Sequence, residues 1–104
     1  MSYIKLQSEY EDLDKYKDKY DIIFYYKKNT DVYHNPYGPA LITPNGYESY
    51  YIENLWHRLD GPARIWPNGV GAYYINGQYL SKEEFEYHPD RLKFLKKEHL
   101  ISIL

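Results

Sequence analysis

The chain repeats itself. Residues 34–54, HNPYGPALITPNGYESYYIEN, align with residues 57–77, HRLDGPARIWPNGVGAYYING, at an offset of 23, with eleven of 21 positions identical. The identical pairs run from His34/His57 through Gly38/Gly61, Pro39/Pro62, Ala40/Ala63 and Ile42/Ile65 to Tyr50/Tyr73, Tyr51/Tyr74 and Ile52/Ile75. Self-similarity at a period of roughly 20–50 residues marks stacked copies of one supersecondary unit, none of which buries its apolar face alone. A degenerate upstream unit is also visible. Phe24-Tyr25-Tyr26 and Val32-Tyr33-His34 echo Ser49-Tyr50-Tyr51 and Leu55-Trp56-His57, with two extra residues between them.

Each unit reads as strand, tight turn, strand. Residues 39–43 are followed by Pro44-Asn45-Gly46 and then by residues 47–52, and the second unit keeps that order. Asn-Gly between β-rich runs predicts a type I′ hairpin, because both central residues need positive φ; such pairs stand at 45–46, 68–69 and 76–77. Pro44 and Pro67 lack an N–H and belong at strand ends. Alternation then puts Ala40, Ile42, Ala63 and Ile65 on one face and Leu41, Thr43, Arg64 and Trp66 on the other. On the return strands Tyr50, Ile52, Tyr73 and Ile75 share a face, opposite Tyr51 and Tyr74. The duplicated Ala and Ile read as the structural face, and the positions that differ between copies as the place for function.

The flanks are built differently. Residues 29–80 hold eight tyrosines, both tryptophans, only six formal charges and no lysine, whereas residues 1–28 and 81–98 alternate acids and lysines as solvated faces do. Tyr10, Leu13, Tyr16 and Tyr20 fall at spacings of three and four, which predicts an amphipathic helix over 8–20, then a strand at 22–26. Ser81-Lys82-Glu83-Glu84 is a capping box opening a short helix with Phe85 inward. Asp90 is expected to cap a second helix through about residue 98, with Leu92 and Leu95 on its apolar side; residues 100–104 extend it or form a strand. At 104 residues this amounts to one domain of α+β class, an antiparallel β-meander of about five or six strands from stacked hairpins, with short N- and C-terminal helices.

The second copy contains His57-Arg58-Leu59-Asp60-Gly61-Pro62-Ala63, and the whole unit, with its Tyr-Tyr pair and Asn-Gly turn, resembles the MORN repeat in a His-Arg-x-Asp-Gly-Pro-Ala variant. The first copy departs from it, with Asn35 in place of Arg and Tyr37 in place of Asp. The resemblance covers about half the chain. It implies a hairpin-repeat protein of the kind found in phages, large DNA viruses and bacterial proteins loosely labelled antitoxins. By the same resemblance the chain looks like a phage or viral accessory protein that binds and blocks or redirects a host defence or toxin protein.

Composition removes most other classes. With no cysteine, disulfides, thiolate metal sites and cysteine nucleophiles are excluded together. The four histidines, at 34, 57, 88 and 99, lack metal-site spacing, and no nucleotide or hydrolase motif occurs, so neither metal nor cofactor is expected. A net charge of −2 and two arginines in the aromatic region disfavour nucleic acid and membrane surfaces. No apolar run spans a bilayer and the N-terminus carries no basic-then-apolar leader, so the expected location is cytoplasmic.

What remains is protein recognition, because Tyr and Trp anchor interfaces and uncharged surface is easily desolvated. The partner-binding residues expected are Tyr37, Tyr47, Tyr51, Trp56, Arg58, Asp60, Arg64, Trp66 and Tyr74, with no catalytic residue. Tyr50, Tyr73, Ile52 and Ile75 are assigned to the core. The His57–Pro62 loop reads chiefly as structure, with His57 serving inter-hairpin packing or a backbone hydrogen bond and Asp60 an Asx turn, although His57 and Asp60 could serve a hydrolase. A tyrosine-lined groove for a nucleotide or sugar is the other reading. An unpaired sheet edge invites self-association.

Overall fold

The computed structural model describes residues 2–102, with side chains described through residue 99. Ten strands precede two helices: β1 (Tyr3–Leu6), β2 (Leu13–Asp18), β3 (Ile23–Lys27), β4 (Leu41–Ile42), β5 (Glu48–Ser49), β6 (Tyr51–Ile52), β7 (Leu55–Trp56), β8 (Arg64–Ile65), β9 (Gly71–Ile75), β10 (Gln78–Leu80), α1 (Lys82–Glu86) and α2 (Pro89–Ser102). Eight strands form one antiparallel sheet in the order β1-β2-β3-β4-β5-β8-β9-β10, and β6 and β7 pair separately. The molecule measures 42 × 32 × 21 Å, a slab rather than a sphere.

The two copies fold alike, bond for bond. Ala40 N–H donates to the Ser49 carbonyl and Ala63 N–H to that of Ala72, both at 2.9 Å; His34 N–H to that of Tyr25 at 3.2 Å and His57 N–H to that of Tyr50 at 3.1 Å; Asn35 N–H to that of Tyr51 at 2.9 Å and Arg58 N–H to that of Tyr74 at 3.2 Å. Ala40 and Ala63 are completely buried, as the duplicated small face requires.

The Asn-Gly turns divide into two kinds. Asn76 (φ 50°) and Gly77 (φ 81°) make the expected two-residue loop between the paired residues Ile75 and Gln78. At 45–46 and 68–69 only the glycines, Gly46 (φ 98°) and Gly69 (φ 86°), are left-handed. There the ladder closes at Thr43–Tyr47 and Trp66–Val70, leaving three residues, and the turn glycine's N–H donates back to Thr43 or Trp66. Pro44 and Pro67, with φ held near −65°, take the first corner of a type I turn and the glycine takes the left-handed position after it. A two-residue left-handed loop does occur in the first copy, at Glu53 (φ 47°) and Asn54 (φ 68°), where no Asn-Gly marks it.

Residues 8–20 do not form the expected helix. Leu13–Asp18 is a strand between β1 and β3, with Asp14 opposite Tyr26 and Tyr16 opposite both Phe24 and Lys5. Helical spacing of four apolar residues is outweighed by two flanking strands that satisfy the backbone of β2 on both sides and take Tyr16 into a ring cluster. This added hairpin raises the sheet from the expected five or six strands to eight.

At the other end Ser81 and Glu84 form the expected capping box, each side chain accepting from the other's backbone N–H. Phe85 packs with Ile75 and Leu80, against Tyr73 and Leu59. Asp90 does not cap α2: Pro89 opens it, and His88 Nδ1 accepts the Asp90 N–H at 3.1 Å. Leu92 and Leu95 are largely exposed; it is Arg91 and Phe94 that turn toward the sheet, Arg91 donating to the Leu59 carbonyl at 2.6 Å. α2 runs to Ser102; residues 103 and 104 lie outside the described residues. Among the described residues, no helix is long and apolar enough to cross a membrane.

Candidate functional site

The face of the sheet opposite the helices carries a ladder of rings. Two positions per unit supply it: Tyr26, Tyr51 and Tyr74 on one strand of each hairpin, Tyr33, Trp56 and Tyr79 directly across. Contacts alternate within and between hairpins, with centroids 5.1 Å apart for Tyr26–Tyr33, 5.2 Å for Tyr33–Tyr51, 5.9 Å for Tyr51–Trp56, 4.9 Å for Trp56–Tyr74 and 5.5 Å for Tyr74–Tyr79. Tyr3, Tyr16 and Phe24 continue it into the N-terminal hairpin through Tyr26. Each such contact adds about 0.5–1.5 kcal/mol beyond its buried area. The ladder therefore ties the β6–β7 hairpin to the eight-stranded sheet through Tyr33–Tyr51 and Trp56–Tyr74. Most of these rings are half-buried and Tyr79 is 66% exposed. Burial pushes the Tyr26 hydroxyl up to about 12, with neighbouring Tyr33 adding to it, and burial likewise raises Tyr51, so these two rings carry no charge at physiological pH.

Arg64 joins this ladder to a second aromatic pair. Its guanidinium lies 4.1 Å from the Trp56 ring and 4.8 Å from the Trp66 ring, and its Nε donates to the Tyr47 hydroxyl at 2.9 Å. Tyr47 and Trp66 are themselves 5.8 Å apart. Beside them an open groove of about 590 Å³ is walled by Pro44 and Pro67 of the two turns and by Tyr20 and Ile22.

Six of the nine expected residues, Tyr47, Tyr51, Trp56, Arg64, Trp66 and Tyr74, thus form one continuous surface. The other three do not join it. Tyr37 lies at the opposite face, stacked on Tyr10 at 4.7 Å and donating to Asp12 at 2.9 Å. Arg58 packs over Tyr50 at 4.1 Å, and with Asp60 and His57 it lines a groove of about 650 Å³ beneath Phe94 and Glu98 of α2. Tyr50 and Ile52, assigned to the core, are half-buried walls of that groove. Tyr3, Tyr16, Tyr26, Tyr33 and Tyr79 were not anticipated, although extending the upstream echo by the same period points to Tyr26, Tyr33 and Tyr79.

The His57–Pro62 loop performs the same work as its unlike counterpart. Asn35 donates from its side chain to the Pro39 carbonyl at 3.0 Å, and Arg58 to the Pro62 carbonyl at 3.1 Å. The Asx turn falls to Asn35, which accepts the Tyr37 N–H at 2.9 Å, whereas Asp60 accepts from Arg58 Nε at 2.8 Å. Burial pulls His57 and His34 below the usual imidazole range; for His57, Asp90 partly opposes this and His88 adds to it. Among the described residues, no group of three or more His, Asp or Glu side chains is placed to hold a metal ion.

Comparison with protein-family models, curated proteins and solved structures finds no match to this chain.

Proposed function

We propose that the chain is a non-enzymatic protein-interaction module of MORN-like hairpins whose ring face grips another protein. The observation that carries this reading is the ladder itself: half-buried Tyr and Trp rings on a sheet face that, among the described residues, no helix covers, joined through Arg64 to Tyr47 and Trp66. Large rings fixed by their neighbours lose little entropy on binding and release water from apolar surface. The resemblance of the repeats supplies the setting, an accessory protein of a phage or virus whose partner is a host defence or toxin protein.

Affinity capture from host lysate tests it, with hydrogen exchange mapping the protected face. The ring-face variant Tyr79→Ser, Trp66→Thr should lose a partner that wild type and Tyr37→Ala both retain. Retention by the ring-face variant, or protection confined to the helix side, would refute the reading.

The groove under α2 supports a second reading, a nucleotide or sugar held against Tyr50 and Phe94. Thermal-shift screening separates the two, since only this reading expects a small molecule to raise the melting temperature.

A further inference from the structure

The groove at Arg64 combines prolines that the two copies share with positions where they differ. In the register of the repeat, Leu41 becomes Arg64, Thr43 becomes Trp66 and Tyr47 becomes Val70. The first copy makes the same hairpin without the arginine and the tryptophan, so folding does not demand them. Arg64 forms no ion pair among the described residues, while Arg58 is matched by Asp60 at 2.8 Å. Its Nε is held by Tyr47, and two indole rings lie against the guanidinium, at 4.1 and 4.8 Å. A guanidinium fixed in this way, with carbon surface around it, is preorganised for a carboxylate. Lys19 Nζ lies 5.1 Å from the ring of Tyr20, a wall of the groove. Pro44, Pro67 and Ile22 make the adjoining wall apolar.

We propose that this groove binds an acidic segment of the partner protein, an Asp or Glu carboxylate seated on Arg64 with a neighbouring apolar side chain against the prolines. The inference rests on the protein-interaction reading and deepens it. Charge favours a peptide carboxylate over a polyanion: a chain of net charge −2 whose groove is lined by one guanidinium lacks the row of cations that phosphate backbones require.

The chain's two tryptophans both flank Arg64, so intrinsic fluorescence reports directly on the site. The full chain is used to select from a random-peptide library, and the selected peptides are titrated against wild type and Arg64→Leu. Leucine is the first copy's own residue at this register, and an unchanged melting temperature confirms that the variant folds. The expected peptides carry Asp or Glu beside an apolar residue and perturb tryptophan emission. Their affinity should fall by about tenfold or more on Arg64→Leu, and equally on Asp→Asn or Glu→Gln in the peptide. Peptides without acids, peptides binding Arg64→Leu as tightly as wild type, or failure to select any would overturn the proposal. If acid-free peptides are lost instead on Tyr79→Ser, the interaction face stands and the acidic subsite alone falls.

Discussion

His57 Nδ1 accepts the backbone N–H of Asn76 at 3.0 Å, and 23 residues earlier His34 Nδ1 accepts that of Glu53 at 3.1 Å. Each repeat thus pins the left-handed turn of the next hairpin through a neutral imidazole. The histidine recurs because the turn does, which is a structural reason for a residue that also suits acid–base chemistry.

That bond makes folding pH-dependent. Burial holds both imidazoles below the usual value of 6.5, so the native state binds fewer protons than the unfolded chain. Their stabilisation is complete above about pH 6.5 and is lost as pH falls below it toward the lowered native values. Urea titrations at pH 7, 6 and 5 should show declining stability, and the slope should flatten in His34→Gln, His57→Gln. Each single change should cost about 1 kcal/mol at pH 7.

Glu53 occupies a left-handed conformation that glutamate tolerates poorly, where the second copy has Asn76. Glu53→Asn should raise stability by about 0.5 kcal/mol. Its exposed contact with Lys27 at 2.7 Å contributes too little to reverse the sign. Differential scanning calorimetry checks it.

Asp14 is 3% exposed, accepts the Asn29 N–H at 2.9 Å and faces Lys5 and Lys28 at 3.4 Å each. The Asn29 N–H foremost, then the lysines, hold its carboxyl below the usual range although burial opposes them. Its stabilisation is present above about pH 4 and is lost as pH falls through the lowered native value. Asp14→Ala should cost about 1–3 kcal/mol at neutral pH and make the remaining acid unfolding shallower.

Phe85 is the largest member of a core cluster that otherwise holds Ile75 and Leu80. Phe85→Ala should cost about 3–5 kcal/mol, a large share of what so small a domain possesses. α1 packs through this ring against Tyr73, so amide exchange in residues 82–91 should accelerate more than in β2 or β3.

The ring face was legible only in part. Tyr51, Trp56 and Tyr74 follow from alternation within a recognised repeat, since a residue's face is fixed by its parity along the strand. Tyr3 and Tyr16 were not reachable that way, because their place depends on β1 and β2 docking beside β3. Tyr37, Arg58 and Asp60 lie apart from the rings for a similar reason: loop residues obey no parity, and the 34–40 and 57–63 loops bend to the helix side, where these three residues line one groove.

Features decided within a few residues were present in the chain itself: the 23-residue period, the hairpins, the strand-terminating prolines and the capping box of Ser81 and Glu84. Even the turn type was latent there, because Pro44 lacks the N–H that the residue before a two-residue Asn-Gly loop donates across the hairpin, while its fixed φ suits the first corner of a type I turn. Tertiary structure decided whether residues 13–18 coil or extend. Their three-and-four spacing suits a helix in isolation, but two neighbouring strands offer a full set of backbone partners and a ring cluster for Tyr16. Pairing between distant segments is a non-local gain, absent from any window of sequence short enough to show a helical period.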